Sequence, residues 1–232
     1  MVREGRNAIA GLLPALAAVF CILCAAGASA QQYGTPGARR HDSFYLRMSL
    51  GVDVAGMTRS VKAEVEDVEG YEGDSEIKGG ALDSEISIGG TAARGLVLAG
   101  SLYSGGIYGP IIERDDGSEL ELDGPLQFSM LGFTLDYYID ERGGFHLGGT
   151  LGPAVAWARL PKDSLFDFIG GWGGGIALNL GYDWWIADEW SLGILGRLLG
   201  ARLAGKDTRD SITASEKDGY GSLSLLFTAV YH

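Results

Sequence analysis

A chain of 232 residues with 46% hydrophobic content, 38 glycines, 6 prolines and a net charge of −12 is too apolar to be disordered and has no Gly-X-Y period, which excludes collagen. Its acidity, without any basic cluster, excludes a nucleic-acid partner. Only one stretch, at the N-terminus, is apolar enough to suggest a membrane helix, which excludes a helical bundle and leaves a glycine-rich, all-β chain.

That first stretch reads as an address. Arg3 and Arg6 precede an apolar run over residues 9–27, and Ala28-Ser29-Ala30 follows. This is the pattern of a secretory signal cleaved after Ala30, leaving Gln31 as the first mature residue. The alternative is an uncleaved anchor, against which Pro14 and the cleavage pattern both argue. Cys21 and Cys24 lie inside the segment, behind Phe20 and Leu23, so a lipoprotein signal fits poorly. The mature chain then has no cysteine, hence no disulfide and no thiolate metal site. It also loses Arg3, Arg6 and Glu4 and becomes one unit more acidic. An exported chain without disulfides needs another source of stability, and a closed hydrogen-bonded barrel in lipid is one. Residues 31–42 show no periodicity and read as a short flexible lead-in.

From Phe44 the pattern turns to period two, the signature of a half-buried strand. Phe44, Leu46, Met48, Leu50, Val52 and Val54 share one face, and Tyr45, Arg47, Ser49, Gly51 and Asp53 the other. A second segment spans about 81–90, with Leu82, Ile86 and Ile88 opposite Asp83, Glu85 and Ser87. A third covers 95–108 and a fourth 126–139, where Leu131, Phe133, Leu135 and Tyr137 oppose Gly132, Thr134 and Asp136. Phe128 and Met130 fall out of phase with that apolar set, which predicts a bulge near Met130. The fifth segment is 145–157, with His146 on its small-residue face. The sixth is 170–184, the seventh 190–203, and the eighth ends the chain with Leu223, Leu225, Phe227, Ala229 and Tyr231 on one face. Connections alternate. Long ones fall before 81 and at 109–125, 158–169 and 204–219; short ones fall at 91–94, 140–144 and 185–189. Asp116-Gly117 marks a hairpin inside the second long connection, a protruding edge open to a partner strand.

Long loops outside and tight turns in the periplasm are the plan of an outer-membrane barrel, and the segments are long enough to cross a tilted bilayer path. The bulky face must meet lipid, and the small polar face must fill a narrow lumen. The Gly170–Gly175 cluster serves packing, since no helix or Lys-Ser/Thr follows to make a phosphate loop. Phe44, Tyr45, Tyr137, Tyr138, Phe145, Trp184, Trp185, Trp190 and Tyr231 lie beside short turns or the termini and predict a periplasmic aromatic girdle. The expected architecture is an eight-stranded antiparallel up-and-down transmembrane β-barrel over 43–232, in the outer membrane of a Gram-negative-type envelope. In these features the chain resembles the small eight-stranded outer-membrane β-barrel family typified by outer-membrane protein X and the membrane domain of outer-membrane protein A. The resemblance implies a C-terminal strand, here Leu223, Leu225, Phe227 and Tyr231, read by the barrel-assembly machinery. The family ends that strand on an aromatic, whereas here Tyr231 is penultimate and His232 follows.

The acidity is concentrated. Between Met57 and Lys78 stand Glu64, Glu66, Asp67, Glu69, Glu72, Asp74 and Glu76; between Ile107 and Gly124 stand Glu113, Asp115, Asp116, Glu119, Glu121 and Asp123. These read as solvated surface loops, a divalent-cation site being the alternative without EF-hand spacing to support it. On the lumenal face sit Arg47, Asp83, Glu85, Asp136, His146 and Arg197. Buried charge is costly unless paired, so they predict a polar network with each arginine on a carboxylate. His41 and His232, near the chain ends, read as incidental. Three dispersed histidines predict no transition-metal site, and no cofactor is expected. The resulting reading is a monomeric outer-membrane protein, surrounded by outer-membrane lipid, with a structural or surface-interaction role. A narrow passive pore and a lipid-modifying enzyme stand as alternatives. The enzyme would need His146 with a serine and an acid, and no serine lies two residues from His146 on its face.

Overall fold

The computed structural model describes residues 39–41, 43–65, 68–114, 117–122, 124–160, 168–209 and 212–232. The expected signal (1–30), with its cleavage site, lies outside them, as does most of the lead-in. Ten strands follow in order: β1 (Phe44–Val65), β2 (Val68–Ala93), β3 (Leu96–Ile107), β4 (Ile111–Arg114), β5 (Glu119–Glu121), β6 (Leu126–Tyr138), β7 (Phe145–Arg159), β8 (Phe168–Trp185), β9 (Trp190–Arg209) and β10 (Ile212–Tyr231). Eight of them form a closed antiparallel barrel in the order β1-β10-β9-β8-β7-β6-β3-β2, with β2 returning to β1. The remaining two, β4 and β5, pair with each other as a hairpin from Ile111↔Glu121 to Glu113↔Glu119; Asp116 lies outside the described residues.

Period two carries straight into the burial pattern. On the outward faces of β1, β8, β9 and β10, Leu50, Val52, Leu178, Leu180, Leu192, Leu198, Leu225 and Phe227 are exposed. Together with β2, β3, β6 and β7 they make one apolar band. An exposed band of this extent needs lipid to cover it.

One end of the barrel carries the short turns. Arg94–Gly95 joins β2 to β3 after a register shift at Ala93. Gly95 takes φ +69, and a Cβ there would meet the Tyr138 carbonyl oxygen. The backbone needs that approach, because Tyr138 N–H donates to Gly95 O at 2.7 Å. Only glycine suits a left-handed residue pressed against a neighbouring carbonyl.

The structure departs from the sequence reading in four ways, the first two at the other end. Residues expected in the first and last long loops are strand: β1 and β10 stay paired up to Val65↔Ile212, and β2 and β9 accompany them. Alternation persists there, with Met57 and Arg59 inward and Thr58 and Ser60 outward. The sequence conceals it because above the lipid band both faces carry polar residues. Four strands therefore rise as a wall on one side of the mouth. Second, β4 does not simply prolong β3. It pairs back onto β2, from Lys78↔Ile111 to Ser75↔Arg114.

Third, there is no bulge near Met130. The β3–β6 register runs unbroken from Leu96↔Tyr137 to Ile107↔Leu126. Phe128 and Met130 are out of phase with the lipid-facing set because they point inward. Toward the hairpin end the lumen holds an apolar cluster of Met57, Ile77, Tyr103, Phe128, Met130 and Tyr220 beside the buried polar residues Asp53, Arg59, Glu216 and Asp218. Phe128 and Tyr220 stack there at 4.3 Å. Each such side chain withdrawn from water contributes roughly 1.5–3 kcal/mol, so the small polar face expected inside is only part of the filling. Fourth, Tyr45 and Tyr138 leave the girdle and are buried in the lumen. Phe44, Tyr137, Phe145, Trp184 and Trp190 remain outward.

Candidate functional site

Alternation sends every second residue of neighbouring strands into one narrow space. Arg47 from β1, Glu85 and Asp83 from β2, Asp136 from β6, His146 from β7 and Arg197 from β9 are all buried there. The six expected lumenal residues form one connected network. Arg47 donates from Nη1 to Asp136 Oδ2 at 2.5 Å and from Nη2 to Glu85 Oε1 at 2.8 Å. Arg197 donates from Nη1 to Asp83 Oδ2 at 3.0 Å, from Nη2 to Glu85 Oε2, and from Nε to Asn179 Oδ1 at 3.1 Å. Glu85 is thus the bridge, one oxygen to each guanidinium. Such charge-assisted forks are the strong class of hydrogen bond. The Arg197 guanidinium also lies 4.2 Å from the centre of the Tyr103 ring.

Hydroxyls extend the network around the wall. Ser87 binds Glu85, and a chain runs Ser87–Ser101 (2.6 Å), Ser101–Thr134 (2.5 Å), Thr134–Thr150 (2.7 Å) and Thr150–Tyr103 (2.6 Å). Ser224 donates to Asp83 at 2.8 Å. Nearer the turns, His146 Nδ1 lies 2.9 Å from Asp136 Oδ1. Asp183 accepts from Tyr138 at 2.8 Å and Thr228 at 3.0 Å, and lies 3.6 Å from His146 Nε2. Asp183, Tyr138 and Tyr103 were absent from the expected set. Asp183 was legible, being on the inward face of its strand; Tyr138 was hidden by its resemblance to an interfacial aromatic.

The turn end is capped by the two histidines that looked incidental. His41 Nε2–H donates to Gly143 O at 2.9 Å, and His41 Nδ1 faces His232 Nδ1 at 2.9 Å. His41 stacks on Tyr138 at 3.5 Å, and Tyr138 on His146 at 4.8 Å. The segment around His41 is tied down by Arg39 N–H to Asp188 O (2.8 Å) and His41 N–H to Glu141 O (3.1 Å). Burial pushes the His41 imidazole down to about 4, the Gly143 carbonyl partly opposing it. Burial and the facing His41 lower His232 as well. Both rings are therefore neutral at pH 7, and His232 Nδ1–H donates to His41 Nδ1.

Among the described residues, no group of three or more His, Cys, Asp or Glu side chains is placed to hold a metal ion. His146 lies between two carboxylates: its Nδ1 is hydrogen-bonded to Asp136, while its Nε2, 3.6 Å from Asp183, makes no hydrogen bond.

The closed ring, the apolar band and the packed lumen decide the architecture. The fold is that of a small outer-membrane β-barrel. Outer membrane protein OprG of Pseudomonas aeruginosa superposes with a TM-score of 0.50 at 11% identity, over 86% of this chain and all of that one. The outer membrane protein AlkL gives 0.47 at 13% identity, over 85% of this chain and 93% of that one. Ail, the attachment invasion locus protein of Yersinia pestis, gives 0.32 at 12% identity, over 77% and 98%. No protein-family model and no curated protein sequence matches the chain.

Proposed function

We propose that this chain is a closed, monomeric outer-membrane barrel that works by its surface rather than through its lumen. It is exported on its N-terminal signal and inserted through the β10 strand by the barrel-assembly machinery. The turns and His41 face the periplasm, and the β1–β2 and β9–β10 wall faces outward. The role is structural or surface-interacting, with the acidic hairpins as the contact region.

The observation that carries this reading is the filling of the lumen. From one end to the other it holds the His41–His232–Tyr138 cap, the Arg47–Glu85–Arg197 network and the Phe128–Tyr220 cluster. A hydrated pore needs open space along the axis, and buried side chains fill the lumen at each of these levels. Catalysis on lipid needs a nucleophile exposed to the bilayer, whereas His146 is buried among carboxylates.

Reconstitution into planar bilayers tests the proposal. The expected record is silent up to moderate voltage. Stepwise conductance in the intact protein would overturn the proposal in favour of the passive pore.

A further inference from the structure

The barrel wall has one interrupted seam. β8 and β9 pair from Trp185↔Ser191 up to Trp172↔Ala204, and the ladder stops there. Beyond that rung β8 stays with β7 as far as Arg159↔Phe168, and β9 stays with β10 as far as Arg209↔Ile212. Gly170 on β8 and Lys206 on β9 stand on either side of the open stretch. Gly170 takes φ +137, a conformation that suits glycine, and its N–H leaves the ladder to donate to Glu216 Oε2 at 3.2 Å. With no side chain at Gly170 or Gly171, the outer surface is hollowed at this point.

The hollow is a groove of about 310 Å³, at the small end of the range for small-molecule sites. Two tryptophans line it. Trp157 pairs with Gly170 and Trp172 with Val155, which makes the two indoles diagonal neighbours, roughly 7–8 Å apart. A planar ring lying about 3.5–4 Å from each of two faces needs that spacing. Both are exposed, and Trp172, at 76%, is the most exposed of the large hydrophobic side chains among the described residues. The buried residues Ala156 and Ile169 form the floor.

The end of the groove across the seam is polar. Lys206 lines it, is exposed, and makes no ion pair among the described residues. Glu216 also lines it, but its carboxylate is ion-paired with Arg59 and holds the Gly170 N–H. The charge left for a ligand to answer is therefore the lysine's.

We infer that Trp157, Trp172 and Lys206 form a binding site in the outer wall for a small aromatic carboxylate, its ring between the indoles and its carboxylate on the Lys206 ammonium. Aromatic faces favour stacked or edge-on rings over aliphatic chains, and the unanswered cation sets the sign of the polar end. The site adds a small-molecule ligand to the surface role proposed above and does not depend on it.

The test titrates 2-naphthoate, and separately its neutral amide, into the full chain folded in zwitterionic micelles. Indole N–H resonances in NMR are the readout, and heat-dependent gel mobility checks the fold of each variant. Naphthoate is expected to shift Trp157 and Trp172 and to leave Trp184, Trp185 and Trp190 in place. W157A/W172A should weaken binding about tenfold, whereas W184A/W190A should not change it. K206Q should weaken naphthoate about threefold and leave the amide unaffected. Shifts spread over all the tryptophans, or equal loss in the two double variants, would mean partition into the micelle and overturn the site. Glucuronate competing as tightly as naphthoate would overturn the aromatic assignment. The amide binding as tightly as naphthoate in the unmodified protein would overturn the carboxylate assignment, a comparison that stands even if a variant fails to fold. Resonances that do not move with naphthoate would overturn the inference outright.

Discussion

Acidification should loosen the cap at the turn end before it unfolds the barrel. His41 is neutral at pH 7 both when docked and when released, so it contributes no pH dependence there. Below its ordinary value of 6.5 the released ring takes a proton, while the docked ring resists until about pH 4. Over that window only the released state gains the proton, so docking weakens as pH falls. The full difference is about 3 kcal/mol, and by pH 4.5 docking has fallen about a hundredfold, counting His41 alone. The structural reason is burial of the ring, which penalises its charged form and which the Gly143 carbonyl only partly offsets. Hydrogen exchange reads this directly, because the Arg39 and His41 amides are donated to Asp188 and Glu141. Their protection factors, corrected for intrinsic rates, should fall about a hundredfold between pH 7 and pH 4.5, while amides of β6 stay protected. In His41→Leu the dependence should vanish. A flat profile in the wild type, or the same fall in His41→Leu, would refute the reasoning.

Three further outcomes are expected. Arg47→Met strands Asp136 and one oxygen of Glu85 in a buried site and should cost about 3–5 kcal/mol, read as a lower urea midpoint for the heat-modifiable form; an unchanged midpoint contradicts the network's role. Leu178→Arg places a cation on the exposed apolar band and should cost about 2–4 kcal/mol in lipid. The same change at exposed Lys206 (Lys206→Arg) should be neutral, and comparable effects at both positions would mean that the band does not face lipid. Gly181→Val brings a side chain onto the His146 ring and should detach His146 from Asp136, seen as a shift of the His146 ring resonances in NMR; unshifted resonances would show that the ring has room to move.

The barrel was legible because period two survives wherever one face meets lipid. Leu50, Val52 and Val54 against Asp53 leave no second solution. It faded above the band, where Thr58, Ser60 and Lys62 face water and alternation no longer means apolar against polar. That is why the upper halves of β1, β2, β9 and β10 read as loops. The lumenal charges were legible for the same reason that they are costly: an arginine or carboxylate on an inward face has few alternatives. Phe128 and Met130 misled because a lumen can also be filled by apolar groups, and sequence phase alone cannot tell an inward methionine from a bulge. His41 and His232 lay beyond any periodicity. Their pairing depends on β1 lying beside β10, a contact between opposite ends of the sequence.

That seam carries a consequence for how the molecule comes into being. β1 and β10 are neighbours from Leu46↔Tyr231 to Val65↔Ile212, yet nearly the whole barrel sequence separates them. Contacts of such separation are slow to form, since the intervening chain must be ordered first. Until β10 arrives, β1 has a bare edge and Arg47, Glu85 and Asp136 have no enclosed lumen to share. The ring therefore completes late, with its open edges in need of shelter meanwhile.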